Sequence, residues 1–351
     1  MKRNTWFINQ QQQAWWDSES WLLRAHTHYH PFLGFLTTDV STEHITVDAA
    51  GARQTVGNPQ SDKSLRSIFF FGGSTMAGYY ATDGETIASY VAQELNRNIP
   101  RAVVTNFGQM AFASSQELIY LMLQLKSGNK PDMVVFYDGC NELTLATQQD
   151  PGERIFSEKT LGSEMKSFAV LASPEPENRT IVSPVFLGDL LDRIQTIRLV
   201  RKIAVSFRSI FSRGSTNVSL DPAVDRISRA KGLVTSYTQN AATIDALARA
   251  YGFSYALVWQ PMSFTKPLTA QEKKTFLVSP SVYESMQNIY LSATEELVQF
   301  HNPHFYDLTK IFSGERGHSI YIDSCHITPQ GNAKIASEIS RIVRSTFGWQ
   351  N

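Results

Sequence analysis

The chain has 351 residues, 42% hydrophobic and 18% charged, enough for one large folded domain or two smaller ones. Lys plus Arg and Asp plus Glu each number 32, so the net charge is zero and no overall field recruits nucleic acid or an acidic membrane. Two cysteines are too few for a disulfide scaffold, and no run approaches the roughly 20 apolar residues that span a bilayer.

The opening stretch, MKRNTWFINQQQQAWWDSESW, has early positive charges but no apolar core after them. It does not read as a secretory signal, and the expectation is a cytosolic protein. Residues 1–66 are mixed. HYHPFLGF and EHITVDAAGARQTV predict short strands and turns in an N-terminal extension wrapped on a main domain, residues 67–351.

From Ser67 the pattern becomes regular. SIFFFG (67–72) is a nearly continuous apolar run, as expected of a strand covered on both faces. Residues 84–97 carry Ile87, Tyr90, Val91 and Leu95 at helical spacing. AVVTNFG (102–108) is a second strand. The next helix starts at Ser114, with Glu117 three residues on as a capping box and Gly128 at its end. DMVVFYDG (132–139) is a third strand. A helix over about 224–251, a strand over 253–261, a helix over 282–300, a short strand over 304–309 and a last helix capped by Thr328 complete the series. Alternating strands and helices predict a three-layer α/β/α fold with a mainly parallel sheet of about five strands.

Regularity lapses over 145–225, which reads as a helical cap or insertion. Within it, residues 187–213 predict an amphipathic helix with a basic face from Arg193, Arg198, Arg201, Lys202 and Arg208. Packing on the domain is the plain reading, and contact with a membrane surface or partner is the other. Asn178 and Asn217 head glycosylation-type tripeptides, which read as chance without a secretory signal.

In an open parallel sheet, ligands bind outside the carboxyl ends of the strands. Four unusual segments fall there or in nearby loops: GGST (72–75), NFG (106–108), DGCNE (138–142) and DSCH (323–326). A carboxylate three residues before a histidine can hold one ring nitrogen and support the imidazolium formed when the other takes a proton. Taken alone, Asp323 and His326 are better explained as a surface pair. With Ser74 they form a candidate nucleophile, base and orienting acid, because a serine hydroxyl is a poor nucleophile until a base takes its proton. Acyl transfer also builds an oxyanion, for which the Ser74 N–H, the Gly108 N–H and the Asn141 carboxamide are candidate donors.

Together, FFFGGSTMAG, NFGQMAFASSQE, PDMVVFYDGCNE and DSCHITPQGN resemble, in order, four sequence blocks of the SGNH, or GDSL-like, hydrolase superfamily. The resemblance covers residues 67–145 and 250–347. It implies ester hydrolysis through a serine acyl-enzyme, with Ser74, Asp323 and His326 catalytic, Ser74, Gly108 and Asn141 in the oxyanion hole, and no metal or organic cofactor. It implies a small-molecule, glycan or lipid ester as substrate, and the neutral net charge leads to no expectation of a nucleic-acid partner. Two positions depart from the pattern: Gly73 stands where the Asp of G-D-S-L does, and Glu142 where the Asp of G-x-N-D does. GGS in the first block is similar to bacterial SGNH proteins linked to cell-surface polysaccharide or lipid modification. A polysaccharide O-acetyltransferase on the same machinery, and a non-catalytic binding module of this fold, are the alternatives.

Other readings are weaker. GGSTMAG lacks the spacing G-x-G-x-x-G, and no G-K-[ST] occurs, so the pattern offers no dinucleotide site or P-loop. His26, His28 and His30 would share one face of a strand but have no acidic or cysteine partner nearby in sequence, so packing is expected rather than a metal. His301, His304 and His318 read as surface or packing residues. Cys140 and Cys325 each adjoin a motif residue, so one shared site would bring their Cα atoms within about 10 Å, and a disulfide needs about 7 Å or less. In a reducing compartment two separate thiols are the simpler expectation.

Overall fold

A computed structural model describes residues 10–60, 64–99, 101–147, 222–270, 272–273, 280–315 and 319–349. The chain divides into two compact units, Met1–Phe156 with Arg226–Asn351, and Ser157–Asp225. The amphipathic stretch 187–213, Asn178, Asn217 and His318 lie outside the described residues, as does the expected insertion apart from its margins.

Five strands form a wholly parallel sheet in the first unit: β5 (Arg66–Gly72), β6 (Ala102–Asn106), β7 (Met133–Asp138), β8 (Ser254–Trp259) and β9 (Phe305–Asp307), in the order β6-β5-β7-β8-β9. Successive strand side chains point to opposite faces, and both faces of this sheet are covered. Ile68, Phe70, Val104 and Val135 pack on helices α3 (Ile87–Asn96) and α8 (Pro329–Phe347). Phe69, Phe71, Val134 and Phe136 pack on α4 (Ser114–Lys126) and α6 (Pro222–Tyr251). This two-sided burial is why the strands read as unbroken apolar runs instead of alternating ones. The third cluster joins α5 (Cys140–Thr147) and α7 (Pro280–Gln299) beside Trp259. The fold is the three-layer α/β/α arrangement expected.

Two details differ from expectation. Ser114 does not cap α4: Ala113 holds that position, and the first residue of the helix is Ser114 itself. Glu117 is buried at 1% exposure, so it faces the core and does not reach back to the cap. Thr328 caps as expected, its hydroxyl accepting the Gly331 N–H at 3.3 Å.

The N-terminal segment also contains a helix that the sequence reading missed, α1 (Gln10–Ala25). Its large apolar residues, Trp15 and Trp16 and then Trp21, Leu22 and Leu23, come as two clusters separated by the polar run 17–20, and not as a stripe at regular three- and four-residue steps. The hairpin of β1 (Thr27–His30) and β2 (Gly34–Thr37) follows, then the small pair β3 (Val40–Ser41) and β4 (Thr46–Val47). Trp16, Leu23, Val40, Ile45 and Val47 form a core of their own. The segment is joined to the sheet edge at Arg53, whose N–H donates to the Asn106 carbonyl at 2.8 Å.

Candidate active site

From β5 the chain moves to β6 on one side, then returns to β7 on the other. That reversal opens a crevice at the carboxyl ends of the strands. Ser74 lies just past β5 and begins a one-turn helix, α2 (Ser74–Ala77). Asn141 lies just past β7, in the first turn of α5.

His326 comes from the loop before α8, 252 residues after Ser74, yet its Nε2 lies 2.7 Å from Ser74 Oγ. Its Nδ1 lies 2.6 Å from Asp323 Oδ2. The other Asp323 oxygen accepts the backbone N–H groups of Cys325 (2.9 Å) and His326 (2.8 Å). The D-x-x-H spacing therefore lets one carboxylate fold its own loop and orient the ring. Burial raises the Asp323 pKa, but the charge and ring hydrogen bond of His326 and the two N–H donors outweigh it, leaving the carboxyl below its ordinary value.

Asn141 Nδ2 donates to the Phe112 carbonyl at 2.6 Å, which orients the carboxamide and leaves its second hydrogen for a ligand. A methyl group on Gly73 would overlap Asn141 Nδ2 and sit 3.0 Å from the Phe112 carbonyl oxygen. Glycine next to the serine is thus a matter of space here: the Asn141 carboxamide occupies the room a side chain would need.

Gly108 stands differently from expectation. Its N–H donates to Asn106 Oδ1 at 2.9 Å, so it already has a partner. Its missing side chain serves packing, since a Cβ there would overlap the backbone of Met76 and Ala77. Three residues on, Ala111 holds φ at 60°, an uncommon conformation for a residue with a side chain, in a half-buried turn that leads into Phe112.

Glu142 links two loops of the site. One oxygen accepts the Ser114 N–H and the other the Gly139 N–H, both at 2.7 Å. The methylene that distinguishes it from Asp provides this reach. Nearby, Glu117 and Asp138 are also buried, and Asp138 Oδ2 accepts from the Tyr237 hydroxyl at 2.9 Å. Burial, then the charge of Glu142, pushes the Asp138 carboxyl up to about 8. Burial and the adjacent Asp138 push Glu117 well above its ordinary value. Like-charged carboxylates so close and so dry cannot both ionise cheaply, and Asp138 Oδ1 and both Glu117 oxygens lie buried with no hydrogen-bond donor on them.

Cys140 and Cys325 pack into one apolar cluster, both as free thiols. A hydrogen bond with Cys140, then burial, raises the Cys325 thiol well above its ordinary value. Such a thiol is a poor nucleophile.

The sequence reading missed three groups around this centre. The Tyr79 ring lies 4.4 Å from the His326 ring. Trp16 lies 4.7 Å from Tyr79 and 4.8 Å from Tyr80. The Arg53 guanidinium, buried in the core, donates to the carbonyls of Ala77 (3.0 Å) and Ala81 (2.9 Å) and pairs with Asp83. The Tyr79-Tyr80 pair five residues after Ser74 is a usable signal; Arg53 gives none.

The histidines of HTHYH make no metal-ligating group among the described residues. The groups with suitable spacing there are Asp323-Cys325-His326 and Glu19-Glu43-His44. His30 Nδ1 instead accepts the N–H groups of Phe32 and Leu33 at 3.3 Å. His304 packs its ring on Tyr255, 4.3 Å away. No described helix is long and apolar enough to cross a membrane.

No family model matches the chain, and no curated protein matches it. Among solved structures, the chain is similar to a lipase/acylhydrolase from Enterococcus faecalis, at 15% identity and TM-score 0.40, over 80% of this chain and 97% of that one. It is similar to the acetyl xylan esterase AlAXEase at 11% identity and TM-score 0.41, over 79% and 99% of the two chains. A member of the lipolytic protein G-D-S-L family from Veillonella parvula gives 11% identity and TM-score 0.39, over 79% and 97%. Likeness at this level carries no argument about activity, which is read from the site itself.

Proposed function

We propose that the protein is a serine ester hydrolase that works through an acyl-enzyme. The observation that carries this reading is the Ser74 Oγ to His326 Nε2 distance of 2.7 Å, with Asp323 2.6 Å from the opposite ring nitrogen. Ser74 Oγ attacks the ester carbonyl carbon as His326 Nε2 takes its proton. The tetrahedral intermediate collapses, the carbon to alkoxy-oxygen bond breaks, and the leaving alcohol takes the proton from Nε2. Water then repeats the sequence on the acyl-Ser74 ester, with His326 again as base, releasing the acid and the free serine. Asp323 holds the ring tautomer and supports the imidazolium.

The oxyanion takes hydrogen bonds from the Ser74 N–H and the free hydrogen of Asn141 Nδ2. Because the Gly108 N–H is committed to Asn106, we assign the third donor to the Ala111 N–H, in the positive-φ turn before the carbonyl that orients Asn141. Preorganised donors of this kind stabilise the developing charge without reorganisation at the moment of reaction.

A p-nitrophenyl ester panel from C2 to C12, with fluorophosphonate labelling mapped to a peptide, tests the proposal. Turnover and covalent modification at Ser74, both lost in Ser74→Ala, are the expected results. An intact, folded protein that neither turns over these esters nor labels at Ser74 would exclude it.

A further inference from the structure

We propose that the N-terminal segment is a working part of the active site, with Trp16 a positioning residue for the His326 imidazole. The inference rests on the hydrolase reading above. Its origin is the support behind the ring. The hydrogen bonds at Nδ1 and Nε2 and the covalent attachment at Cγ define where the imidazole lies. His326 sits in a loop, so ring contacts against the imidazole are what resist its displacement. Tyr79 makes such a contact, its ring 4.4 Å from the imidazole at an angle of 41°. Tyr80 adds an edge contact at 6.2 Å.

What holds Tyr79 comes from two directions. Its N–H donates to the Ser74 carbonyl at 2.9 Å, which ties the ring to the nucleophile's own turn. That turn contains Gly78 at φ 84° and Tyr80 at φ 66°; such a conformation in a bulky residue persists only where the surroundings over-determine it. The surroundings here are residues of the N-terminal segment. Arg53 binds the carbonyls on either side of the turn, at Ala77 and Ala81. Trp16, 4% exposed, lies against both tyrosine rings, edge-on to Tyr79. Helix α1 is anchored in turn by Glu19, whose carboxylate binds the Thr42 hydroxyl and the His44 ring, and by Trp15, which stacks on His44 at 4.7 Å. A continuous set of contacts therefore runs from α1 to the imidazole.

The test compares wild type, Trp16→Ala and Trp16→Phe by kcat and KM on p-nitrophenyl acetate and by the rate of fluorophosphonate labelling at Ser74. All are assayed well below their thermal midpoints. Misplacing a reacting group slightly costs up to about 100-fold in rate, so Trp16→Ala should lose about 10- to 100-fold in kcat and in labelling rate. KM should stay within about twofold, and Phe should recover most of the loss, since the interaction removed acts on the reacting centre and not on ground-state binding. A folded Trp16→Ala that labels at the wild-type rate overturns the inference and leaves the hydrolase reading standing. Wild type that does not label at Ser74 overturns both. Should Trp16→Ala fail to fold, Trp16→Leu, which keeps apolar bulk in the N-terminal core but removes the ring set against Tyr79 and Tyr80, carries the same test with the same outcomes.

Discussion

The backbone of Gly73 and the carboxamide of Asn141 share one small volume, and a single added carbon on Gly73 would overlap the amide nitrogen. The neighbour of the proposed nucleophile and a proposed oxyanion donor are therefore coupled by packing, although 68 positions separate them in the chain (141 − 73). The absence of a carboxylate at position 73 is a condition for the Asn141 orientation seen here.

Gly73→Ala should therefore act as an Asn141 variant. Removing one preorganised oxyanion donor costs about 2.7–4 kcal/mol of barrier. Both Gly73→Ala and Asn141→Ala should lower kcat about 100- to 1,000-fold on a p-nitrophenyl ester. Because they remove the same interaction, the double variant should fall little below either single one. Additive losses would separate the two residues.

Glu142→Ala should destabilise the fold. It leaves the buried N–H groups of Ser114 and Gly139 without acceptors, at about 1–3 kcal/mol each. Glu142→Asp, one methylene shorter, should keep one of the two bonds and fall between. Urea denaturation midpoints at constant m-value check the order.

Stability should fall as pH rises through the range set by Asp138. Its folded pKa is raised from 3.8 to about 8, so the folded state binds the proton more tightly than the unfolded chain. The favourable contribution is complete below about pH 4 and lost progressively toward pH 8. Asp138→Asn, which still accepts from Tyr237, should flatten this slope in a series of thermal midpoints from pH 4 to 9. An unchanged slope would place its origin elsewhere.

Thiol titration should distinguish the two cysteines. Cys325 is 4% exposed and its thiolate is disfavoured, whereas Cys140 is half-buried. A thiol reagent should therefore modify native Cys140 faster than Cys325, and two thiols should titrate in denaturant under non-reducing conditions. A count of zero would mean that the pair is oxidised.

Much of the main domain was legible because its signals are local. SIFFFG and DMVVFYDG announce buried strands by their unbroken apolar character, and Thr328-Pro329 announces a helix start. Ser74, Asn141, Asp323 and His326 could be named because each sits at a strand end or loop in a short, recognisable block. Gly108 was named for its small size, but its N–H partner, Asn106, sits two residues away in a geometry that spacing alone does not specify. Helix α1 and Arg53 stayed hidden for another reason. The helix packs on Val40, Ile45 and Val47, and Arg53 binds the carbonyls of Ala77 and Ala81, all many positions away, whereas a sequence pattern records only near neighbours along the chain.

The linear order of residues thus determined the parallel α/β architecture and the chemical types available at its carboxyl edge, since hydrophobic period, caps and turn residues act over a few positions. Only the tertiary structure decided which groups meet. It brought an imidazole to a hydroxyl 252 residues away, spent the Gly108 N–H on Asn106, and set Trp16 against the tyrosines beside His326. Those outcomes depend on strand order and on how side chains fill space between distant segments, where a displacement of about an ångström separates a hydrogen bond from none.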